Sequence, residues 1–343
     1  MVTSGKDLES LSALTLPFHN TPMIELPLKP LHEEFMGYSR FTRQVSPSTL
    51  RGYQNAFHLL LKRYPDITTT TLSPELMTGF FEWLQTRERI VGRGAIRQGV
   101  KKTTIATYWI KLTKFFSWLV QKGHLVSNPL KNRALEFPRI RYDDRKYLER
   151  KDMKKILRAV SEGIQWQNDL IRARNIAIIA VALYCGLRRT ELLSLKVSDF
   201  DLTHGRLIVR AETSKSQMSR TIPLNSEVRQ SLTNYLDERS RATLLYTTPF
   251  LWVSGNKNAS LKSEGLRYLV MMLCRESQVK FHLHQLRHTF AVNFLHNSSH
   301  SSFKLQGLLG HRSIVSTAAY TRCLPPEIVR GDLERMADVD NLV

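Results

Sequence analysis

Apolar residues return at helical spacing through four early stretches of the chain. From Pro47 to Tyr64 the residues Leu50, Tyr53, Phe57, Leu60, Leu61 and Tyr64 share one face, with Ser46 as N-cap and Pro47 at the first helical position. A shorter helix over Leu31 to Arg43 precedes it. Ser73-Pro74 opens a third helix, which turns Leu76, Met77, Phe80, Phe81 and Leu84 inward. The fourth, Thr103 to Lys122, buries Ile105, Tyr108, Trp109, Leu112, Phe115, Phe116 and Leu119 and stops at Gly123, with Pro129 beyond. The pattern predicts a four-helix domain over residues 27–126, preceded by an extended arm at residues 1–26.

Residues 127–147 carry two prolines and no helical period, which predicts an interdomain linker. A second domain then spans 148–324. It opens with a helix over 149–162 and a strongly apolar helix near Leu170–Tyr184, the expected buried centre. Gly186 breaks that helix, and Leu187 to Leu195 starts another. Arg206–Arg210 and Arg220–Leu224 alternate as two strands of a hairpin with Lys215 near its tip. Helices at 226–240 and 262–276 flank a short apolar strand, Phe250–Val253. His284 to Thr321 then reads helix, loop, helix, Gly break, helix, and an amphipathic tail follows at 325–343 after Pro325-Pro326. The fold class expected is mainly α with a small β-hairpin or sheet.

Charge narrows the partner. Fifty Lys and Arg against thirty Asp and Glu give a formal charge of +20 and a pI near 10.1, an excess suited to a polyanion: nucleic acid or an anionic membrane surface. No apolar run is long enough to span a bilayer, and the first twenty residues lack the basic-then-apolar pattern of a secretory signal. Cys185, Cys274 and Cys323 are odd in number, far apart and without a CxxC, as expected of reduced thiols in a cytoplasmic protein and not of a zinc module. Nucleic acid is therefore the leading partner. Residues 87–102 read as a glycine-bearing surface loop before the fourth helix, and from Arg87 to Lys114 eight basic residues meet one acid, Glu88. Arg87, Arg89, Arg93, Arg97, Lys101 and Lys102, with Arg139, Arg141, Arg145 and Lys146 in the linker, are the candidate phosphate contacts.

The reactive residues lie late in the chain. Arg188 follows the buried helix through the Gly186 turn, and Glu191 shares its face. His284 and Arg287 sit three apart on one helix, His311 follows Gly310, and Tyr320 lies nine residues on. Imidazoles, guanidiniums and a phenol on short neighbouring elements are what a phosphate needs if fixed donors hold it and a phenol oxygen attacks it. The His282–His284 pair has no carboxylate or Cys at ligand spacing, so no metal is expected; no GxxxxGK[ST] occurs, so neither is ATP, and no cofactor is assigned.

In order the chain offers GLRRTEL, a strand–Lys215–strand hairpin, HQLRH, LLGH and AAYTR. This series resembles the tyrosine recombinase (phage-integrase) family, with the Xer recombinases among the members it looks most like, over residues 27–343. The resemblance implies a helical core-binding domain and a catalytic domain closing as a C-shaped clamp on double-stranded DNA. It implies site-specific strand exchange through a 3′-phosphotyrosyl intermediate, by a homo-oligomer that is a dimer on one site and a tetramer in synapsis. A nucleoid-associated location, accessory DNA-bending or partner recombinase proteins, and a tail helix that docks on a neighbouring subunit follow from the same likeness. The catalytic set carried over is Arg188, Lys215, His284, Arg287, His311 and Tyr320, with Glu191 and His288 in support. Two forked guanidiniums suit the non-bridging oxygens, His284 takes the Tyr320 proton, Lys215 protonates the leaving 5′-oxygen and His311 donates to the phosphate. The hairpin tip TSKSQMSR lacks the family's glycines, so Lys196 and Arg220 stand beside Lys215 for the lysine role. A type IB topoisomerase-like enzyme and a non-catalytic DNA-binding regulator are the alternative functions.

Overall fold

Short side-chain caps start the helices where the pattern places them. In a computed structural model of the chain, Ser46 Oγ accepts the Thr49 N–H at 3.3 Å and Ser73 Oγ accepts the Leu76 N–H at 3.2 Å, each ahead of a first-turn proline. The structure describes residues 24–92, 94–132, 136, 147–214, 216–242, 247–255, 258–297 and 301–321. The N-terminal arm, the tail beyond Thr321, and Arg93, Arg139, Arg141, Arg145, Lys146 and Lys215 lie outside the described residues. The chain divides into two compact units, Met1–Tyr142 and Asp143–Val343.

The first unit packs α1 (Leu28–Phe41), α2 (Pro47–Arg63), α3 (Pro74–Thr86) and α4 (Lys102–Gln121). Its core is aromatic: Phe35, Phe57 and Phe115 surround His32, whose ring stacks on Phe57 at 3.9 Å, and Trp118 packs on Phe35 and Phe115. Burial there lowers His32 to about 4, so its imidazole is a neutral core ring. The stretch read as a loop is instead a hairpin, β1 (Glu88–Val91) paired antiparallel with β2 (Ala95–Gln98). Gly92 and Gly94, at φ 59° and 96°, permit the tight reversal.

In the second unit α5 (Arg150–Arg158) ends in a π-helical turn, Ala159–Gly163, where one unbroken helix was expected. Helix α6 (Asp169–Tyr184) is the buried centre, capped by Asn168, whose Oδ1 accepts the Ile171 N–H at 2.9 Å. A short α7 (Arg189–Leu193) follows, then a three-stranded antiparallel sheet of β3 (Phe200–Asp201), β4 (Arg206–Val209) and β5 (Arg220–Pro223). Helices α8 (Ser226–Arg241), α9 (Ser263–Ser277), α10 (Leu283–Asn297), α11 (Ser302–Leu309) and α12 (Val315–Thr321) complete it.

Phe250–Val253 does not form the expected strand; it makes only isolated bridges, Lys196 to Phe250 and Val253 to Ser260. Backbone partners and side chains share the rest: Leu251 N donates to Leu195 O at 2.7 Å and Trp252 O accepts Leu261 N at 2.8 Å. Tyr235 Oη donates to Leu251 O at 2.7 Å, and Arg239 donates to the carbonyls of Thr248, Phe250 and Leu251. Its apolar run reflects burial of Leu251, Trp252 and Val253 rather than ladder pairing. Cys185 is buried too, and burial pushes its thiol up to about 12, making it an inert core group. No helix among the described residues is long and apolar enough to cross a membrane.

Candidate active site

The site grows from the turn that ends α6. Gly186 has φ 60°, and a Cβ there would meet the Phe290 ring of α10 at 2.3 Å, so only glycine allows this close approach. The turn delivers Arg188 as the N-cap of α7. Glu191, on the first turn of α7, is 0% exposed and accepts the Arg188 N–H at 2.9 Å while its other oxygen takes Arg188 Nη1 at 2.9 Å.

The same carboxylate holds a second guanidinium from the sheet. Arg220, first residue of β5, donates to both Glu191 oxygens at 2.8 and 3.2 Å and through Nε to Leu308 O at 2.7 Å. Arg287 Nη1 approaches Glu191 to 3.8 Å. Three guanidiniums thus share one carboxylate, leaving an excess of fixed positive charge. Burial alone would push Glu191 up, but the hydrogen bonds and charge of Arg220, with Arg188, hold it at about 2.

Arg287 is 2% exposed and fully engaged. It donates to Gly186 O at 2.6 Å, Leu309 O at 2.9 Å and His311 Nε2 at 3.1 Å. Burial and then the Arg188 charge pull it down to about 10, so it stays a cation at neutral pH. A guanidinium has no lone pair to offer, so His311 Nε2 is the acceptor and its proton lies on Nδ1. Nδ1 then donates to Thr317 Oγ1 at 2.9 Å, on α12 one turn before Tyr320. Burial, then Arg287, Arg188 and Arg220, lower His311 to about 4. In this arrangement both ring nitrogens are taken within the protein, so the expected donation by His311 to a phosphate is not yet set up.

Tyr320 is 4% exposed, packed against Ala291, Val292, Leu295, Leu305 and Leu309. Its ring lies parallel to His311 with centroids 6.3 Å apart. His288 is nearer, at 5.3 Å, and His284 touches His288 edge-on at 4.5 Å. His282 has a local role: its Nδ1 accepts the Gln285 N–H at 3.1 Å and Gln285 Oε1 accepts its N–H, which starts α10.

Arg188, Glu191, Arg287, His311 and Tyr320 are therefore brought together, with His288 and His284 beside them. Lys215 is not described, but its neighbours are: Ser214 and Ser216 are buried, and Ser216 O accepts Arg312 Nε at 3.0 Å, which ties the hairpin connection to the turn after His311. Of the other candidates for its role, Arg220 is committed to Glu191. Lys196 caps a short turn with its backbone, donating N–H to Asp199 at 2.8 Å. Arg220 as a cluster member and Thr317 as the partner of His311 escaped the sequence reading. An arginine opening an alternating strand, and a threonine three before the tyrosine on one helix face, were the available signals.

Among the candidate DNA contacts, Arg89, Arg97, Lys101 and Lys102 lie on or beside the β1–β2 hairpin, and Arg87 stacks over Trp83 at 4.7 Å.

The site sets a tyrosine beside a buried arginine cluster, an arrangement suited to phosphoryl transfer. The model of the phage integrase family matches residues 146–325, and that of the phage integrase SAM-like domain matches residues 33–136. The chain belongs to the phage integrase family and is a site-specific tyrosine recombinase with DNA as its partner. It is 29% identical over 302 residues to tyrosine recombinase XerC of Salmonella typhi, covering 87% of this chain and 93% of the relative. With tyrosine recombinase XerD of Listeria monocytogenes it shares 27% over 298 residues, covering 85% and 93%. In fold it is similar to the Tn1549 transposon integrase in complex with transposon right end DNA, at TM-score 0.71 and 18% identity over 91% of this chain and 100% of that one. The XerH recombinase bound to palindromic difH substrate, post-cleavage, is similar at TM-score 0.68 and 19% identity over 88% and 82%.

Proposed function

We propose that Tyr320 attacks a DNA phosphodiester, forming a 3′-phosphotyrosyl bond and releasing a 5′-hydroxyl, and that the same bond is later attacked by the 5′-hydroxyl of another strand. The observation that supports this reading is the convergence of Arg188, Arg287, His311 and Tyr320 from four elements around one carboxylate. Arg188, the most exposed guanidinium of the three, meets a non-bridging oxygen first, while the Glu191 fork fixes its plane. Arg287 acts as a preorganised positive charge. The phosphate's own charge offsets the guanidiniums that hold His311 neutral; its pKa rises, and Nε2 then gains the proton that makes it a donor.

His284 accepts the Tyr320 proton, which a phenol with a reference pKa near ~10 must lose to attack. Lys215 delivers a proton to the departing 5′-oxygen; such general-acid help is worth ~10²–10⁴-fold. Residues 27–126 and 148–324 act as core-binding and catalytic domains joined by a basic linker, and the tail at 325–343 docks on a neighbouring subunit. The working assembly is a dimer on one site and a tetramer in synapsis, and the protein works in the cytoplasm at the nucleoid. Two assays test this. A plasmid with two copies of a bound site should yield recombined circles, with Tyr320→Phe inert; relaxation of supercoils without any recombinant product would instead make it a topoisomerase-like enzyme.

A further inference from the structure

The β1–β2 hairpin breaks two rules that a solvated hairpin keeps. Strand alternation with the register Arg89 to Arg97 and Ile90 to Ile96 puts Glu88, Ile90, Ile96 and Gln98 on one face and Arg89, Val91, Ala95 and Arg97 on the other. Ile90 and Ile96 are directly opposed and 77% and 67% exposed. On the other face two arginines are directly opposed, a like-charge pair that works against strand pairing. A free two-stranded ribbon is marginal in water to begin with. Local rules broken together in this way mark a functional surface.

The ribbon is nonetheless firmly held at its base. Gly99 N donates to Arg87 O at 2.9 Å, Val100 N donates to Leu84 O at 3.1 Å, and Arg89 Nε donates to Gly99 O at 2.5 Å. Gly99 has φ 59°, and a Cβ there would lie 2.1 Å from Gln85 O, so the ribbon root is locked against the end of α3. An anchored ribbon with an exposed isoleucine face is built to be presented to something.

We infer that this ribbon enters the major groove of duplex DNA and reads base pairs, with Ile90 and Ile96 against base edges and Arg97 at a phosphate or guanine. This rests on the recombinase reading above and adds a specificity element to it. Charge decides the partner: Arg87, Arg89, Arg97, Lys101 and Lys102 lie on or beside the ribbon, with Glu88 as the single acid in residues 87–102. A protein partner for two isoleucines would not need that cationic frame, whereas duplex DNA does. Size agrees: four residues per strand at ~3.4 Å each make a ribbon about 13 Å long, and the major groove, about 12 Å wide, admits a two-stranded ribbon. Isoleucine finds an apolar surface there in the thymine methyl group, and arginine pairs with the guanine edge.

The test selects binding sites from random duplex DNA with the full chain carrying Tyr320→Phe, with and without Ile90→Ala and Ile96→Ala. Both isoleucines are exposed, so matching thermal melts establish that the fold is kept. The expected result is a motif that loses one contiguous block of base pairs in the double alanine variant while the rest persists. Affinity for the parent motif should fall about tenfold. Replacing thymines in that block by uracil should weaken the parent protein but not the variant. An unchanged motif with affinity within twofold overturns the inference, as does an unchanged motif with loss only of cooperative binding to paired sites, which would assign the ribbon to a second protein copy. Failure of the underlying reading looks different: a chain with Tyr320 intact would form no covalent adduct on any selected DNA.

Discussion

The molecule holds two groups of arginines that use charge in opposite ways. In the second unit Arg188, Arg220 and Arg287 are tied to Glu191 and to main-chain carbonyls, and little of them faces water. In the first unit Arg97 stands exposed on a ribbon whose anchoring is done by glycine and backbone. The buried group trades flexibility for fixed direction, which is what a developing charge on a reacting phosphate rewards. The exposed group keeps its reach, which suits counterion release along a DNA backbone. Substitutions should therefore have unlike consequences at the two places.

The largest contrast is expected from replacing arginine by lysine. An ammonium cannot span Gly186 O, Leu309 O and His311 Nε2 together, so Arg287→Lys should cost about 10²–10³-fold in cleavage rate at saturating protein. Arg97→Lys should leave that rate within twofold. Equal losses in a single-turnover cleavage assay would erase the distinction between the two groups.

Next comes stability. Glu191→Gln strands three guanidiniums around a neutral amide and should lower unfolding free energy by about 3–5 kcal/mol in urea titration. A midpoint within error of the parent would mean the cluster is not what holds α7, β5 and α11 together.

Acid should discriminate further. His311 and His32 are both held at about 4, against 6.5 when unfolded, so below 6.5 the unfolded chain binds protons that the folded chain refuses. Stability from both is complete above pH 6.5 and lost as pH falls toward 4. Glu191, lowered to about 2 from 4.5, adds stability that is complete above 4.5 and lost below it. The two histidines differ in cause. His32 is lowered by burial, with a backbone hydrogen bond to Tyr53 opposing it, whereas His311 also feels three guanidiniums, so only His311 should shift upward when DNA binds. Imidazole NMR titration with and without a duplex would show one resonance moving; if both or neither moved, the electrostatic account of His311 would be wrong.

The smallest expected effect is at the ribbon. Arg97→Gln should reduce the slope of log K against log[salt] by about 0.9, one phosphate's share. An unchanged slope in fluorescence anisotropy would remove Arg97 from the DNA contacts.

The sequence made much of this legible, and the exceptions have physical reasons. Ser46-Pro47 and Ser73-Pro74 marked helix starts to the residue because capping is local chemistry. Arg188, Arg287, His311 and Tyr320 could be picked out because each sits at a turn or on a short helix with a recognisable neighbour. Arg220 could not be assigned, since its bond to Glu191 depends on β5 packing beside α11, a long-range event. The ribbon was read as a loop because charged residues interrupt its alternation and glycines frame its turn. Phe250–Val253 looked like a strand because burial and strand pairing write the same apolar run.

The proposed chemistry turns on Tyr320 as the nucleophile. The most direct test incubates the protein with a nicked duplex carrying a selected site, so that cleavage frees a short strand and traps the adduct. The linked peptide is then mapped by mass spectrometry. The expected result is a 3′-phosphate on Tyr320, with a free 5′-hydroxyl on the released strand. An adduct on any other residue, or a 5′-phosphate linkage, would overturn this assignment.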